Sequence, residues 1–239
     1  DTDRSRGLGD VYKRQIAKYS EQEYGLSNPM CSISMPKIQR NEISVLNESE
    51  RKNLQNHLVN NLNNTNIGIL LTMYSGMRIG EICALKWSDI DLQSGIIRIS
   101  KTVQRINDKI GNSKTKIIVG SPKSRTSERE IPIPNFLVNI LNERRQNENN
   151  YILSGTHKLI EPRTMQNRFK SVLKKCGIRN VNFHLLRHTY ATVCIENGFD
   201  AKTVSELLGH SNVNITLNRY VHSSLDTKKK YVEKLNFVA

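Results

Sequence analysis

No apolar run in this sequence approaches the roughly 20 residues that a membrane-spanning helix needs, and no stretch has the layout of a secretory signal. Cysteine is sparse. Cys31, Cys83, Cys176 and Cys194 form no C-x-x-C pair and no disulfide-like spacing. Three of them sit in apolar, helix-like surroundings, where a reduced thiol acts as a small hydrophobe, a pattern that fits a reducing cytoplasm. Carboxylates are in deficit: 22 Asp+Glu face 36 Lys+Arg, leaving a net charge of +14. Such an excess favours a polyanionic partner, because each Lys or Arg set on a phosphate releases counterions. The plainer alternative is a basic soluble protein. Internal repeats and low-complexity tracts are absent, although Asn is abundant. With 37% apolar residues the chain can supply a core, which excludes wholesale disorder. Its length suits one large domain, or one domain and a piece of another.

The beginning of the chain reads as foreign. Asp10-Val11-Tyr12-Lys13-Arg14-Gln15 resembles an in-frame translation of the transposon end used in sequencing libraries. Residues 1–15 are therefore set aside as a sequencing or assembly artefact; the alternative is an ordinary charged arm. They hold four basic and three acidic residues, so without them the net charge falls only from +14 to +13. Residues 16–30 have the pattern of a helix that has lost its beginning. Ile16, Tyr19 and Tyr24 have nothing local to pack against, and Asn28-Pro29 stops the helix. A polar linker then runs to about Arg40, which sets a boundary between residues 16–40 and a main domain over 41–239.

Within that domain Asn47-Glu48-Ser49-Glu50 has the form of a capping box, with Leu54, Leu58 and Leu62 following at helical spacing. Further helices are expected over Ile67 to Tyr74, ending near Gly76, and from Ile79 to Leu85. Ile96 to Val103, Ile117 to Val119 and Arg129 to Ile133 read as three strands of a small antiparallel sheet. The remainder predicts helices over Phe136 to Arg145, Arg163 to Lys175, His184 to Glu196, Ala201 to Leu208 and Ile215 to Tyr220, and a short basic one over Asp226 to Leu235. The fold class is α+β and mainly α.

Five segments place a cationic or nucleophilic group in a defined setting. In Ser75-Gly76-Met77-Arg78-Ile79-Gly80-Glu81 the arginine stands at a helix start, where backbone N–H groups favour anions and a guanidinium adds bidentate phosphate geometry. In Pro122-Lys123-Ser124-Arg125 a lysine on a tight turn can reach beyond the sheet. In His184-Leu185-Leu186-Arg187 the i, i+3 spacing sets His184 and Arg187 on one helix face. His184 and His188 also have the i, i+4 spacing of a metal pair, but no Glu between them could act as a base and Arg187 would repel a divalent cation. In Leu208-Gly209-His210 a C-terminal glycine sets the histidine at a corner. The fifth segment is Thr216-Leu217-Asn218-Arg219-Tyr220. Each alone has an ordinary reading, as a solvated Arg or Lys, a structural His or a core Tyr.

Together and in this order, they resemble the tyrosine recombinase family, which includes phage and conjugative-transposon integrases. The resemblance covers roughly residues 40–239, and Arg78, Lys123, His184, Arg187, His210 and Tyr220 all fall on positions of the family's catalytic pattern. Tyr220 follows His210 at the family's spacing, and Thr189 to Gly198 is similar to its helix after the second Arg. The resemblance implies an integrase-type catalytic domain of packed helices with a small three-stranded antiparallel sheet, preceded in residues 16–40 by the remnant of a core-binding domain and its linker. Most of that clamp is then missing, so DNA affinity is expected to be weak.

The implied reaction is attack of the Tyr220 phenol on double-stranded DNA, giving a 3′-phosphotyrosyl enzyme and a free 5′-hydroxyl. It splits one hard step into two reversible ones. Arg78 and Arg187 would clamp the non-bridging oxygens and His210 would add a hydrogen bond. His184 would accept the phenolic proton, Lys123 would protonate the leaving oxygen and Glu81 would orient Arg78. These cationic side chains take the place of a metal, and no cofactor is implied. The resemblance further implies a homotetramer on paired recombination sites, accessory DNA-bending or excision factors, no membrane, and a bacterial cytoplasm. The segment after Tyr220, where Tyr231 and Leu235 form an apolar edge, would pack on a neighbouring protomer or fold back on its own domain. The rival readings are a non-catalytic DNA-binding regulatory module, which accounts for the charge but not for the ordered residues, and a metal-dependent nuclease, for which the carboxylate cluster is lacking.

Overall fold

A computed structural model describes residues 2–27, 44–108, 115–121, 127–220 and 232. The chain divides into two compact units, residues 1–42 and 43–239. The first contains helix α1 (Thr2–Tyr24), which is continuous across the boundary expected at residue 15. It ends before Asn28-Pro29. Gly25, at φ +61°, takes up the left-handed conformation that closes helices and donates its N–H to the Glu21 carbonyl at 3.1 Å. Ile16, Tyr19 and Tyr24 are exposed.

The second unit starts on the capping box read from the sequence. Asn47 accepts from the Glu50 N–H at 2.8 Å, and Glu50 accepts from the Asn47 N–H at 2.9 Å. These bonds fix the start of α2 (Glu48–Asn60), which buries Leu54 and Leu58. Arg179 anchors the entry by donating to Glu50, Ser44 and the Val45 carbonyl. Helix α3 (Asn64–Ser75), capped by Asn63, is buried almost all round from Asn66 to Thr72 and forms the axis of the core. Gly76 ends it at φ +62°. A Cβ at Gly76 would come within 2.6 Å of the Tyr190 ring and 2.7 Å of Leu208, so both backbone conformation and packing demand glycine there. Helix α4 (Ile79–Ala84) follows at once.

Among the described residues the strands form two sheets rather than one. β1 (Ile90–Asp91), β2 (Ile96–Ile99) and β5 (Arg129–Pro132) make a three-stranded antiparallel sheet in the order β1-β2-β5, with Ile97 opposite Ile131 and both fully buried. β3 (Thr102–Asn107) and β4 (Thr115–Gly120) pair only with each other, Val103 opposite Val119. The three-stranded antiparallel sheet is thus present, but its members differ from those expected. The apolar run from Ile96 to Val103 breaks at Ser100-Lys101, and a two-residue strand at Ile90 completes the set. Two residues are too few to show an alternating pattern.

Helices α5 (Asn135–Glu143), α6 (Pro162–Lys175), α7 (His184–Glu196), α8 (Ala201–Leu208) and α9 (Val213–Tyr220) complete the described fold. Each matches an expected helix to within about two residues, the usual uncertainty of a helix end. The expected helix over Asp226 to Leu235 lies outside the described residues apart from Val232, as does the linker from Asn28 to Arg40. Helix α7 packs on α3, and α8 packs on both α7 and α9. The last three helices enclose a satellite cluster of Ala191, Cys194, Val204, Leu208 and Tyr220. Burial pushes the Cys83 thiol up to about 12, so it packs as a hydrophobe. No helix among the described residues is long and apolar enough to cross a membrane.

Candidate active site

The site forms where α3 and α8 end. The last carbonyls of a helix lack intrahelical donors and carry the negative end of its dipole. Here arginines satisfy them. Three successive carbonyls at the end of α8 each take one guanidinium: Leu207 from Arg129 Nε at 2.6 Å, Leu208 from Arg187 Nη2 at 2.7 Å, and Gly209 from Arg78 Nη2 at 3.0 Å. Arg187 also donates through Nη1 to the Gly76 carbonyl at the end of α3, at 2.8 Å. The two helix-ending glycines visible in the sequence are therefore the points on which the cations are mounted.

Glu81 is the counter-charge. Only 2% exposed, it accepts from the Arg78 backbone N–H at 2.8 Å and from Arg78 Nη1 at 2.8 Å. Arg129 reaches it at 3.1 and 2.9 Å through Nη1 and Nη2. Burial alone would raise its pKa, but the bonds and charges of Arg129 and Arg78 outweigh it and hold the carboxyl below its usual range. Arg187 is 2% exposed, and burial, then Arg78, push its guanidinium down to about 9, so it stays charged at neutral pH. Arg78 keeps 37% of its side chain open to solvent and is the accessible member of the cluster. Two donor positions of each of these two arginines are used in the bonds named. A guanidinium has five N–H groups, so capacity for an anion remains.

The histidines surround this cluster in neutral form. Burial, then Arg187 and Arg78, push His210 down to about 3. Its Nδ1 lies 2.8 Å from the hydroxyl of the fully buried Thr216. If Thr216 donates, His210 carries its proton on Nε2 and can offer it outward. His184 opens to solvent as a residue, yet burial of its ring, then His188 and Arg187, push it down to about 4. Its ring stands edge-on to His188, centroids 4.6 Å apart.

Tyr220 ends α9 and is 7% exposed. Its phenol lies 2.5 Å from His188 Nδ1. Burial raises the phenol pKa above the ordinary value, only partly opposed by Arg187 and Arg219.

Five of the six residues singled out in the sequence, Arg78, His184, Arg187, His210 and Tyr220, are thus gathered at the meeting of α3, α4, α7, α8 and α9. Lys123 lies outside the described residues. The sequence reading missed Arg129, whose one visible sign is its register: on β5 it shares a face with the buried Ile131, an unusual place for an unpaired cation. It also gave His188 only a discounted metal role. No group of three or more His, Cys, Asp or Glu suited to a metal occurs among the described residues.

A profile of the Phage integrase family matches residues 39–226. The chain is 36% identical over 186 residues to a "Tyrosine recombinase XerC-like" protein of Caldanaerobacter subterraneus subsp. tengcongensis, covering 70% of this chain and 48% of that protein. It is 26% identical over 220 residues to "Tyrosine recombinase XerA" of Thermococcus kodakarensis, covering 90% of this chain and 70% of that one. The chain therefore spans about half the length of the first relative. Among solved structures, the Tn1549 transposon integrase in complex with a circular intermediate DNA superposes with a TM-score of 0.71 at 18% identity, over 97% of this chain and 79% of that one. The catalytic domain of bacteriophage HP1 integrase gives 0.54 at 20% identity, over 82% and 97%. At such identities these likenesses speak for the fold alone. The profile match covers most of the chain and contains every residue of the arginine, histidine and tyrosine cluster: the chain belongs to the phage integrase family.

Proposed function

We propose that this chain is the catalytic part of a site-specific DNA recombinase that cuts and rejoins strands through a 3′-phosphotyrosyl bond at Tyr220. The observation that carries the reading is a buried phenol that feels the charge of Arg187, one of three guanidiniums held on the closing carbonyls of α8. Phosphoryl transfer builds negative charge on the non-bridging oxygens, and fixed, permanently charged donors stabilise it without reorganising. Arg78 and Arg187 take those oxygens and His210 donates from Nε2. Lys123 protonates the 5′-oxygen as it leaves. The cations serve in place of a metal.

Residues 41–239 are the catalytic domain in this reading, and residues 16–40 belong to a core-binding domain and linker. The partner is double-stranded DNA, a role supported by the net charge of +14 and by relatives named as recombinases. Assembly is a homotetramer on paired sites, assisted by DNA-bending or excision factors, in the bacterial cytoplasm and on the nucleoid. Integration or excision of a mobile element is the expected outcome.

Relaxation of supercoiled plasmid in EDTA at low salt, quenched with detergent, tests the reading. Protein covalently attached to DNA is expected from the parent and not from Tyr220→Phe. Adduct retained by the variant would rule out Tyr220 as nucleophile. Cleavage that disappears with EDTA would point instead to a metal-dependent nuclease, and DNA binding without adduct in either protein to a regulatory module.

A further inference from the structure

We propose that His188, rather than His184, takes the phenolic proton of Tyr220 when the tyrosine attacks DNA, an inference that rests on the recombinase reading. Three observations support it. His188 Nδ1 lies 2.5 Å from the Tyr220 oxygen, within the reach a proton transfer requires. No hydrogen bond among the described residues joins His184 to that phenol. The two imidazoles occupy successive turns of α7, His184 at its exposed first residue and His188 one turn further in, where α9 delivers Tyr220. His184 instead feels the charges of Arg187 and Arg78, the arginines assigned to the phosphate oxygens.

The step balances without a further reactant. The phenolic O–H gives its proton to His188 Nδ1 as the tyrosine oxygen forms its bond to phosphorus. The phosphorus–O5′ bond breaks, and the departing oxygen takes a proton from Lys123. In the rejoining step the 5′-hydroxyl attacks phosphorus and returns its proton to Lys123, the phosphorus–tyrosine bond breaks, and His188 gives its proton back to the tyrosine oxygen to regenerate the phenol.

The resting site keeps that proton on Tyr220. His188 is faced by Arg187 and His184 from α7 and by Arg219 and Tyr220 from α9. Burial, then Arg219 and Arg187, push its imidazole down to about 4, while burial pushes the phenol up. A phosphodiester entering between the arginines brings a negative charge that offsets the cations, which raises the proton affinity of His188 when the nucleophile is needed. The free enzyme therefore holds no tyrosinate.

Single-turnover adduct formation on a nicked duplex, followed against pH, tests the assignment. His188→Asn keeps a hydrogen-bonding group near the Nδ1 position but cannot take up a proton. Near neutral pH its rate is expected to fall about 10²–10⁴-fold. Its rate should then climb about tenfold per pH unit, so that the deficit narrows as the phenol ionises unaided. A fluorinated tyrosine of lower pKa at position 220 should restore His188→Asn more than it accelerates the parent. His184→Asn should show a deficit that does not change with pH. A purely structural His188 would give a deficit independent of pH and of the fluorinated residue, and that result overturns the proposal, as does the reverse pattern for the two histidines.

A second measurement needs no DNA. Long-range proton–nitrogen correlation spectroscopy should find His188 with its proton on Nε2 and a bare Nδ1 whose resonance moves in Tyr220→Phe. A proton on Nδ1 would overturn the proposal whatever the protein does to DNA. A bare Nδ1 in a parent that forms no adduct would instead count against the recombinase reading, and would leave His188 as no more than the hydrogen-bond partner of the phenol.

Discussion

Glu81→Gln should be among the most destabilising isosteric changes in this chain. The side chain is 1% exposed and faces Arg129, itself 6% exposed, through two bonds of 3.1 and 2.9 Å. The amide fits the space but removes the charge and turns one acceptor into a donor aimed at a guanidinium. Removing one partner of a buried ion pair costs about 3–5 kcal/mol, because the other charge stays buried without compensation. Arg78 adds little to the sum, since its side chain is 37% open to water. Against a total stability of roughly 5–15 kcal/mol, the loss is large. For a domain of this size it corresponds to a fall in Tm of about 6–20 °C. Urea unfolding gives the value directly, and a double-mutant cycle with Arg129→Met isolates the pair: the double variant should be more stable than the sum of the single losses by about 1–3 kcal/mol. A loss below about 1 kcal/mol for Glu81→Gln, with additive behaviour in the cycle, would refute the claim that this carboxylate is the counter-charge of the site.

Three further outcomes follow from the same geometry. His188 and His210, pushed down to about 4 and about 3, well below the ordinary imidazole range, bind fewer protons folded than unfolded. Stability should therefore be level above pH 7 and fall as pH drops from about 6.5 toward 4.5, by about 2–4 kcal/mol once the roughly 5 kcal/mol of full linkage is discounted for solvent screening of these half-buried rings. Glu81, with a lowered pKa, extends the loss below its unfolded value; a urea midpoint unchanged between pH 7 and 5 would contradict this. Gly76→Ala should cost about 1–3 kcal/mol, as a Cβ at φ +62° would meet Tyr190 and Leu208, and thermal melting checks it. Arg187→Lys keeps the charge but cannot span the Gly76 and Leu208 carbonyls together. Adduct formation should drop about 10²–10³-fold, and equal rates for Lys and Arg would show that the fork geometry is irrelevant.

What the sequence discloses and what it hides divide along a physical line. The helices carry local signals, such as the Asn47–Glu50 box and the closing glycines at 76 and 209, and local signals are readable one segment at a time. Strand partners are set by non-local pairing, so β3 and β4 leaving the main sheet was not legible. The same holds for Arg129, which is separated from Leu207 by 78 residues and joins the site only through the fold. His188 was visible as a residue, but its role depends on where α9 places Tyr220. Lys123 was singled out only as a member of an ordered set, and it lies outside the described residues.

The charge arrangement also explains why the site needs helix ends. Three guanidiniums brought together repel one another, and a single carboxylate cannot neutralise them all. Further carboxylates would compete with a phosphate for the same donors. Backbone carbonyls avoid that conflict: they hold each arginine with a partial charge and leave a net positive site. Part of the cost of gathering the cations is recovered only when an anion arrives. In the free protein burial, with the charge of the arginines adding to it, holds the histidine pKa values down, and a bound phosphodiester would relieve the part that charge contributes. Under the proposed function, the same residual charge that destabilises the empty site would favour DNA and bring His188 toward the proton affinity its proposed step requires.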